Sequence, residues 1–178
     1  PPFADKRVVM IDNEDSFVHT LADYFRQTGA EVTTYRAGVA LERILEQRPD
    51  LVVHSPGPGR PADFGVPERV RELAAAEVPQ FGVCLGLQGM VEAFGGRLEV
   101  LAEPRHGKIW EIEHGGGGLF EGVPSPCRFG AYHSLIVDVQ AVPEELEVIA
   151  RNEGGLVMAV RHRTLPLLAV QFHPESIL

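Results

Sequence analysis

Through residue 96, short apolar runs alternate with stretches of helical spacing, and that alternation leaves few folds open. Arg7–Asp12 (RVVMID), Glu31–Tyr35 (EVTTY), Asp50–His54 (DLVVH) and Gln80–Val83 (QFGV) read as strands. Between them, Ser16–Gln27 carries Phe17, Leu21, Tyr24 and Phe25 at helical spacing, with Gly29 as its stop. Leu41–Gln47, Val66–Ala76 and Leu85–Phe94 read as further helices, the last closed by Gly95-Gly96. Strand and helix in strict turn with short connections predict an α/β fold: a mostly parallel open sheet, right-handed crossovers, helices on both faces. Ligands in such sheets gather at the carboxyl ends of the strands. Asp12, the turn Ser55–Gly59 and Cys84 fall at that edge.

From Arg97 onward the pattern turns to β. Arg97–Leu101, Lys108–Glu113, Leu135–Val139, Leu146–Arg151, Leu156–Arg161 and Leu167–Val170 read as strands, with Gly115–Gly118 as a flexible turn. No repeat or linker interrupts the chain, so residues 1–178 are expected to form one domain with this half extending the same sheet. The start at Pro1 and the absence of a closing helix after Ser176 are those expected of a piece of a longer chain.

A formal charge of -9 and a pI near 5.2 weigh against nucleic acid or an anionic membrane as partner, because both would be repelled. No apolar run approaches the roughly 20 residues of a membrane helix. The opening PPFADKR lacks the apolar core of a signal peptide, and a cytoplasmic location is expected. There both cysteines, Cys84 and Cys127, would remain thiols.

Gly82-Val83-Cys84-Leu85-Gly86 stands where a strand gives way to a helix. This is the glycine-flanked arrangement of a nucleophile elbow with Cys in the central place. A side chain pinned on so sharp a turn leaves no room for Cβ atoms at the flanking positions. The following helix N-terminus favours the thiolate, and the Leu85 N–H is a natural oxyanion donor. A thiol nucleophile needs a base and a group to orient it. His173, after the apolar strand Leu167–Val170 and stiffened by Pro174, is the best placed of seven histidines, and Glu175 lies two residues on. Ser55-Pro56-Gly57-Pro58-Gly59 also follows a buried strand, and its rigid backbone offers the Gly57 N–H as a second oxyanion donor.

SPGPG at Ser55–Gly59, GVCLGLQ at Gly82–Gln88, HGK at His106–Lys108, YHSL at Tyr132–Leu135 and VQFHPES at Val170–Ser176 together resemble the class I (triad) glutamine amidotransferases, and DNEDSF at Asp12–Phe17 resembles their usual opening. The HGK and YHSL pair is similar to the amidotransferase component of chorismate-using enzymes, anthranilate synthase first and aminodeoxychorismate or phenazine-type synthases next. The resemblance implies a flavodoxin-like fold and a catalytic triad of Cys84, His173 and Glu175. It implies a glutamine site lined by Gly57, Pro58, Gly59, Leu85, Gln88, Ser134 and Leu135. It implies no metal or cofactor in this domain, Mg2+ in the synthase partner, and ammonia handed to a chorismate-binding subunit or fused domain. A Cys–His hydrolase acting alone and an idle regulatory domain are the competing readings.

Two positions depart from the pattern. Leu87 stands where the family commonly has His, and is expected to pack. Glu14 stands where Tyr is usual, a variant that resembles fused synthase–amidotransferase chains. Elsewhere, Cys127 is expected to be a buried structural thiol, Trp110 core or interface, and Glu144-Glu145 a solvated pair. His106, His114 and His133 show no metal-ligand spacing.

Overall fold

The computed structural model describes residues 1–174, save the side chains of residues 103–108 and 131–133. Five strands run parallel: β2 (Glu31–Arg36), β1 (Arg7–Asp12), β3 (Leu51–His54), β4 (Gln80–Val83) and β9 (Leu167–Val170), in that spatial order. Four more, β8 (Val157–His162), β7 (Leu146–Asn152), β5 (Leu98–His114) and β6 (Cys127–Val137), continue the sheet antiparallel from β9. The expected mostly parallel core with a β-rich extension is therefore one nine-stranded sheet.

The central strands are apolar on both faces because both are covered. In β1, Val8 and Met10 pack with Val18, Leu21 and Ala22 of α1 (Val18–Gln27), while Val9 and Ile11 pack with Ile44 of α2 (Leu41–Glu46) and Leu73 of α3 (Val66–Ala75). Farther along that second face, Leu167 and Ala169 of β9 meet Leu85, Leu87, Met90 and Val91 of α4 (Leu85–Ala93). Strand β2, at the sheet edge, mixes exposed and half-buried residues and buries none fully. Burial on both faces is what a continuous V/I/L run means in a parallel sheet.

Helix α1 begins two residues later than its apolar spacing suggests. The Asp15 carboxylate accepts the Phe17 N–H at 2.8 Å and holds residues 15–17 in a turn. The larger corrections fall in the second half. Residues Arg97–Leu101 and Lys108–Glu113 are not two strands but one, β5, whose pairing with β6 shifts register between Val100 and Arg105 and again between His106 and Lys108. The Pro104 and Gly107 that punctuate the sequence are absorbed by these irregularities. Strand β6 starts at Cys127 rather than Leu135 and ends at Val137, so Ser134 and Leu135 lie inside it instead of opening it. Its early residues are mixed in polarity because, as the sheet-edge strand, it pairs only with β5.

Trp110 is core, 1% exposed in the α1-side cluster. Cys127 is half-buried rather than fully buried; its Sγ sits 3.7 Å from the Ile112 carbonyl, and burial pushes its thiol pKa up. His114 stacks on Phe120, with Nε2 at 2.9 Å from the Pro124 carbonyl and Nδ1 accepting the Gly116 N–H. It organises the glycine-rich turn. Among the described residues, no helix is long and apolar enough to cross a membrane.

Candidate active site

Where β1 gives way to β2 on one side and β3 on the other, the sheet has a switch point, and the carboxyl ends of β1, β3, β4 and β9 open on a common edge. Four segments meet there: Asn13, Ser55–Gly57, Cys84–Gln88 and Gln171–His173.

Cys84 adopts φ 57° and ψ -100°, a left-handed backbone that a β-carbon makes costly. The surrounding contacts enforce it. The Cys84 N–H donates to the Val170 carbonyl at 2.8 Å, tying the elbow to β9, and α4 begins at the next residue. A Cβ on Gly82 would lie 2.6 Å from the Gly86 carbonyl carbon, and one on Gly86 would lie 2.6 Å from the His54 carbonyl oxygen. Both glycines are therefore required by backbone-to-backbone approach, as the sequence predicts. Cys84 is 7% exposed and not in a disulfide.

Val83 is in register with Val170, so Cys84 and the Gln171–His173 segment leave adjacent parallel strands side by side. Phe172 anchors that segment by stacking on Phe129, centroids 4.2 Å apart. His173 is 4% exposed and meets the edge of Phe17, centroids 5.8 Å apart. Glu175, the expected orienting acid, lies outside the described residues.

The remaining expected residues divide. Gln88 is 3% exposed, and its Nε2 donates to the Leu135 carbonyl at 3.0 Å and to Gln171 Oε1 at 3.4 Å; Gln171 Nε2 in turn donates to Cys84 Sγ at 3.7 Å. Leu135, Gln88, Gln171 and Cys84 thus form one connected chain. Gly57 abuts Leu85, a Cβ there falling 2.9 Å from Leu85 Cδ2 and 2.4 Å from the Asn13 carbonyl oxygen. Pro58 and Gly59 are exposed, and Gly59 (φ 71°) faces the Asp63 carboxylate that accepts the Arg60 N–H. Ser134 is exposed on β6. Leu87 is fully buried among Val66, Met90 and Val160, the packing role expected of it. Among the described residues no group of three or more His, Cys, Asp or Glu could hold a metal ion.

Three buried polar residues at this edge of the sheet, Asn13, Gln171 and His54, were given no role from the sequence. Asn13 is fully buried; its N–H donates to Ser55 Oγ at 2.8 Å and its Nδ2 to the Ser55 carbonyl at 2.9 Å, fixing the start of the Gly57 loop. Asn13→Ala leaves that buried carbonyl without its donor. A loss of about 1–3 kcal/mol in denaturant unfolding is expected. Gln171 had a visible signal, a polar residue directly after a buried strand. The third is His54. Gln80 donates its Nε2 to the Val70 carbonyl at 3.1 Å, so its Oε1 faces His54 Nε2 at 2.7 Å and the ring must donate there.

Complete burial pushes the His54 pKa down to about 4, outweighing the Gln80 hydrogen bond that raises it; the Arg69 charge lowers it further. The unfolded chain takes up this proton below an ordinary pKa of about 6.5, whereas the folded one refuses it until about 4. Stability is therefore highest above pH 6.5 and falls as pH drops towards 4, by about 3 kcal/mol in total from this group. Denaturant midpoints measured across that window should show a flatter acid slope for His54→Asn than for the parent.

Residues 9–178 match the family described as glutamine amidotransferase class-I. The chain belongs to that family. Among curated relatives of this amidotransferase, an anthranilate synthase of Azospirillum brasilense is 60% identical over 97% of the chain, which spans 24% of that protein's length. An aminodeoxychorismate/anthranilate synthase component 2 of Bacillus subtilis is 40% identical over 96% of the chain and is spanned to 89%. A solved glutamine amidotransferase structure from Thermotoga maritima superposes with a TM-score of 0.78 at 20% identity, covering 96% of this chain and 76% of the other. That last likeness speaks to the fold.

Proposed function

We propose that this amidotransferase chain hydrolyses the side-chain amide of glutamine and passes the ammonia to a chorismate-converting synthase domain or subunit, making anthranilate for tryptophan biosynthesis in the cytoplasm. The observation that carries the reading is Cys84 itself: a thiol in a strained left-handed conformation at a helix N-terminus, beside the strand that delivers His173. Strain of this kind persists only where surrounding contacts enforce it, and here two glycines and the Val170 bond do so.

In this reading His173, oriented by Glu175, takes the Cys84 proton, and the thiolate attacks the glutamine δ-carbonyl. The α4 dipole assists the thiolate. Oxyanion charge falls on the N–H groups of Leu85 and Gly57; the Leu85 side chain packs on the Gly57 loop, its Cδ2 2.9 Å from where a Gly57 β-carbon would stand. His173 returns the proton to the departing ammonia, and water then cleaves the γ-glutamyl thioester. Gln88, Ser134 and Leu135 would meet the amino-acid end of the substrate, and Pro58 and Gly59 the outer rim.

The relatives support this acceptor: a 60% identical segment belongs to an anthranilate synthase. A second acceptor is favoured by the Bacillus subtilis relative, whose name joins aminodeoxychorismate and anthranilate synthesis. Treating the full-length protein with a thiol-reactive glutamine analogue tests the reading. The peptide bearing Cys84 should gain the label as glutamine-driven synthesis is lost and ammonia-driven synthesis persists. Labelling confined to Cys127, or loss of both activities together, would count against it. Product identification with chorismate separates anthranilate from aminodeoxychorismate.

A further inference from the structure

The proposed reaction leaves Gln171 without a role, yet this side chain is fully buried and its amide lies on the reacting sulfur. A buried primary amide that only filled space would be a poor choice, since both its ends must find partners in a dry site. Here they do, and the partners fix which end faces Cys84. The Leu135 carbonyl can only accept, so the Gln88 group 3.0 Å from it is the NH2. That same NH2 lies 3.4 Å from the Gln171 amide, which must therefore present its oxygen to Gln88. The end left for Cys84 Sγ, at 3.7 Å, is the N–H donor.

We propose that Gln171 is a further catalytic residue, whose side-chain N–H holds the Cys84 sulfur and favours its thiolate, in an orientation set from β6 through Gln88. The inference rests on Cys84 being the nucleophile. A hydrogen bond from an N–H to sulfur is worth little while the sulfur is a neutral thiol and considerably more once it is an anion. The bond therefore shifts the Cys84 proton towards the base before substrate carbon is attacked. Gln88 is a positioning residue in this scheme: it acts on the sulfur through Gln171 and holds β6 to the elbow by the Leu135 carbonyl. The arrangement also links the substrate pocket to the nucleophile, because Gln88 and Leu135 are the groups proposed to meet glutamine.

The test is the pH dependence of Cys84 alkylation by iodoacetamide in the full-length protein without glutamine, followed on the Cys84 peptide by mass spectrometry. Gln171→Met keeps the size and removes the donor. Gln171→Glu keeps the shape and replaces the donor with a carboxylate, and carries the test should the Met variant fail to fold. The alkylation midpoint is expected to rise by about one pH unit in Gln171→Met and by more in Gln171→Glu. Gln88→Leu should move it in the same direction by less. Folded Gln171 variants that keep the parent midpoint would overturn the proposal, even if their stability falls, because a packing role alone predicts that result. Glutamine-driven turnover surviving in Cys84→Ala would instead overturn the reading beneath it.

Discussion

Replacing Cys84 with alanine is expected to cut glutamine-driven synthesis by roughly a thousandfold or more while ammonia-driven synthesis stays near its parent level. The size follows from covalent catalysis: without the thiol there is no acyl-enzyme, and neither the oxyanion donors nor the base can replace the missing bond. The selectivity follows from the location of Cys84 at the carboxyl edge of β4, within a site that only liberates ammonia in the proposed function. The substitution should not unfold the chain. Alanine removes only the sulfur, leaves the Cys84 N–H on the Val170 carbonyl, and carries the same left-handed backbone cost as cysteine. The measurement is initial rate with glutamine and with ammonium salt, on the same preparation, over one thermal denaturation curve. Equal loss with both nitrogen sources would mean that Cys84 supports the structure of the whole assembly rather than the first half-reaction.

How much of this site was legible in the sequence depends on what kind of contact each residue makes. Cys84, Gly82 and Gly86 were readable because a strand-to-helix elbow is local: the glycines, the thiol and the apolar strand all fall within a few residues. The first-half strands and helices were readable for the same reason, each announced by its own period. The long β5–β6 ribbon was readable only in pieces: Arg97–Leu101, Lys108–Glu113 and the end of β6 were marked as strands, but not their union or the start at Cys127. Its pairing joins residues such as Leu98 and Val137 across the chain, and its mixed-polarity edge strand carries no alternation strong enough to mark it. Asn13, His54 and Gln171 were missed because a buried polar residue looks like any other polar residue until its partner is known. Asn13 finds Ser55 across 42 positions and Gln171 finds Cys84 across 87. Motif resemblance named Gln88 and Leu135; only the fold shows that they hold one another.

The elbow's second glycine makes the sharpest demand on the fold. Gly86 sits at the second residue of α4, an exposed-helix version of which would gain about 1 kcal/mol from a larger side chain through helix propensity. The local packing reverses that sign. A β-carbon at Gly86 would stand 2.6 Å from the His54 carbonyl oxygen and 3.0 Å from its Cβ, and His54 cannot move away. Its backbone belongs to β3, in register with Ile11 of β1 and Gly82 of β4, and its ring is held at 2.7 Å by Gln80. The helix must give instead, and moving α4 moves Cys84, Leu85 and Gln88 together. Gly86→Val is accordingly expected to cost about 4 kcal/mol or more, lowering the melting temperature by roughly 10 °C, and to abolish glutamine-driven turnover in whatever protein still folds. Gly117→Ala is the matched control, since its φ is -102° and nothing lies within 4 Å of a β-carbon there; a change within about 0.5 kcal/mol is expected. If Gly86→Val melted with the control, α4 would have room to ride over β3, and the close approach of elbow to strand would not be what holds Cys84 in its left-handed conformation.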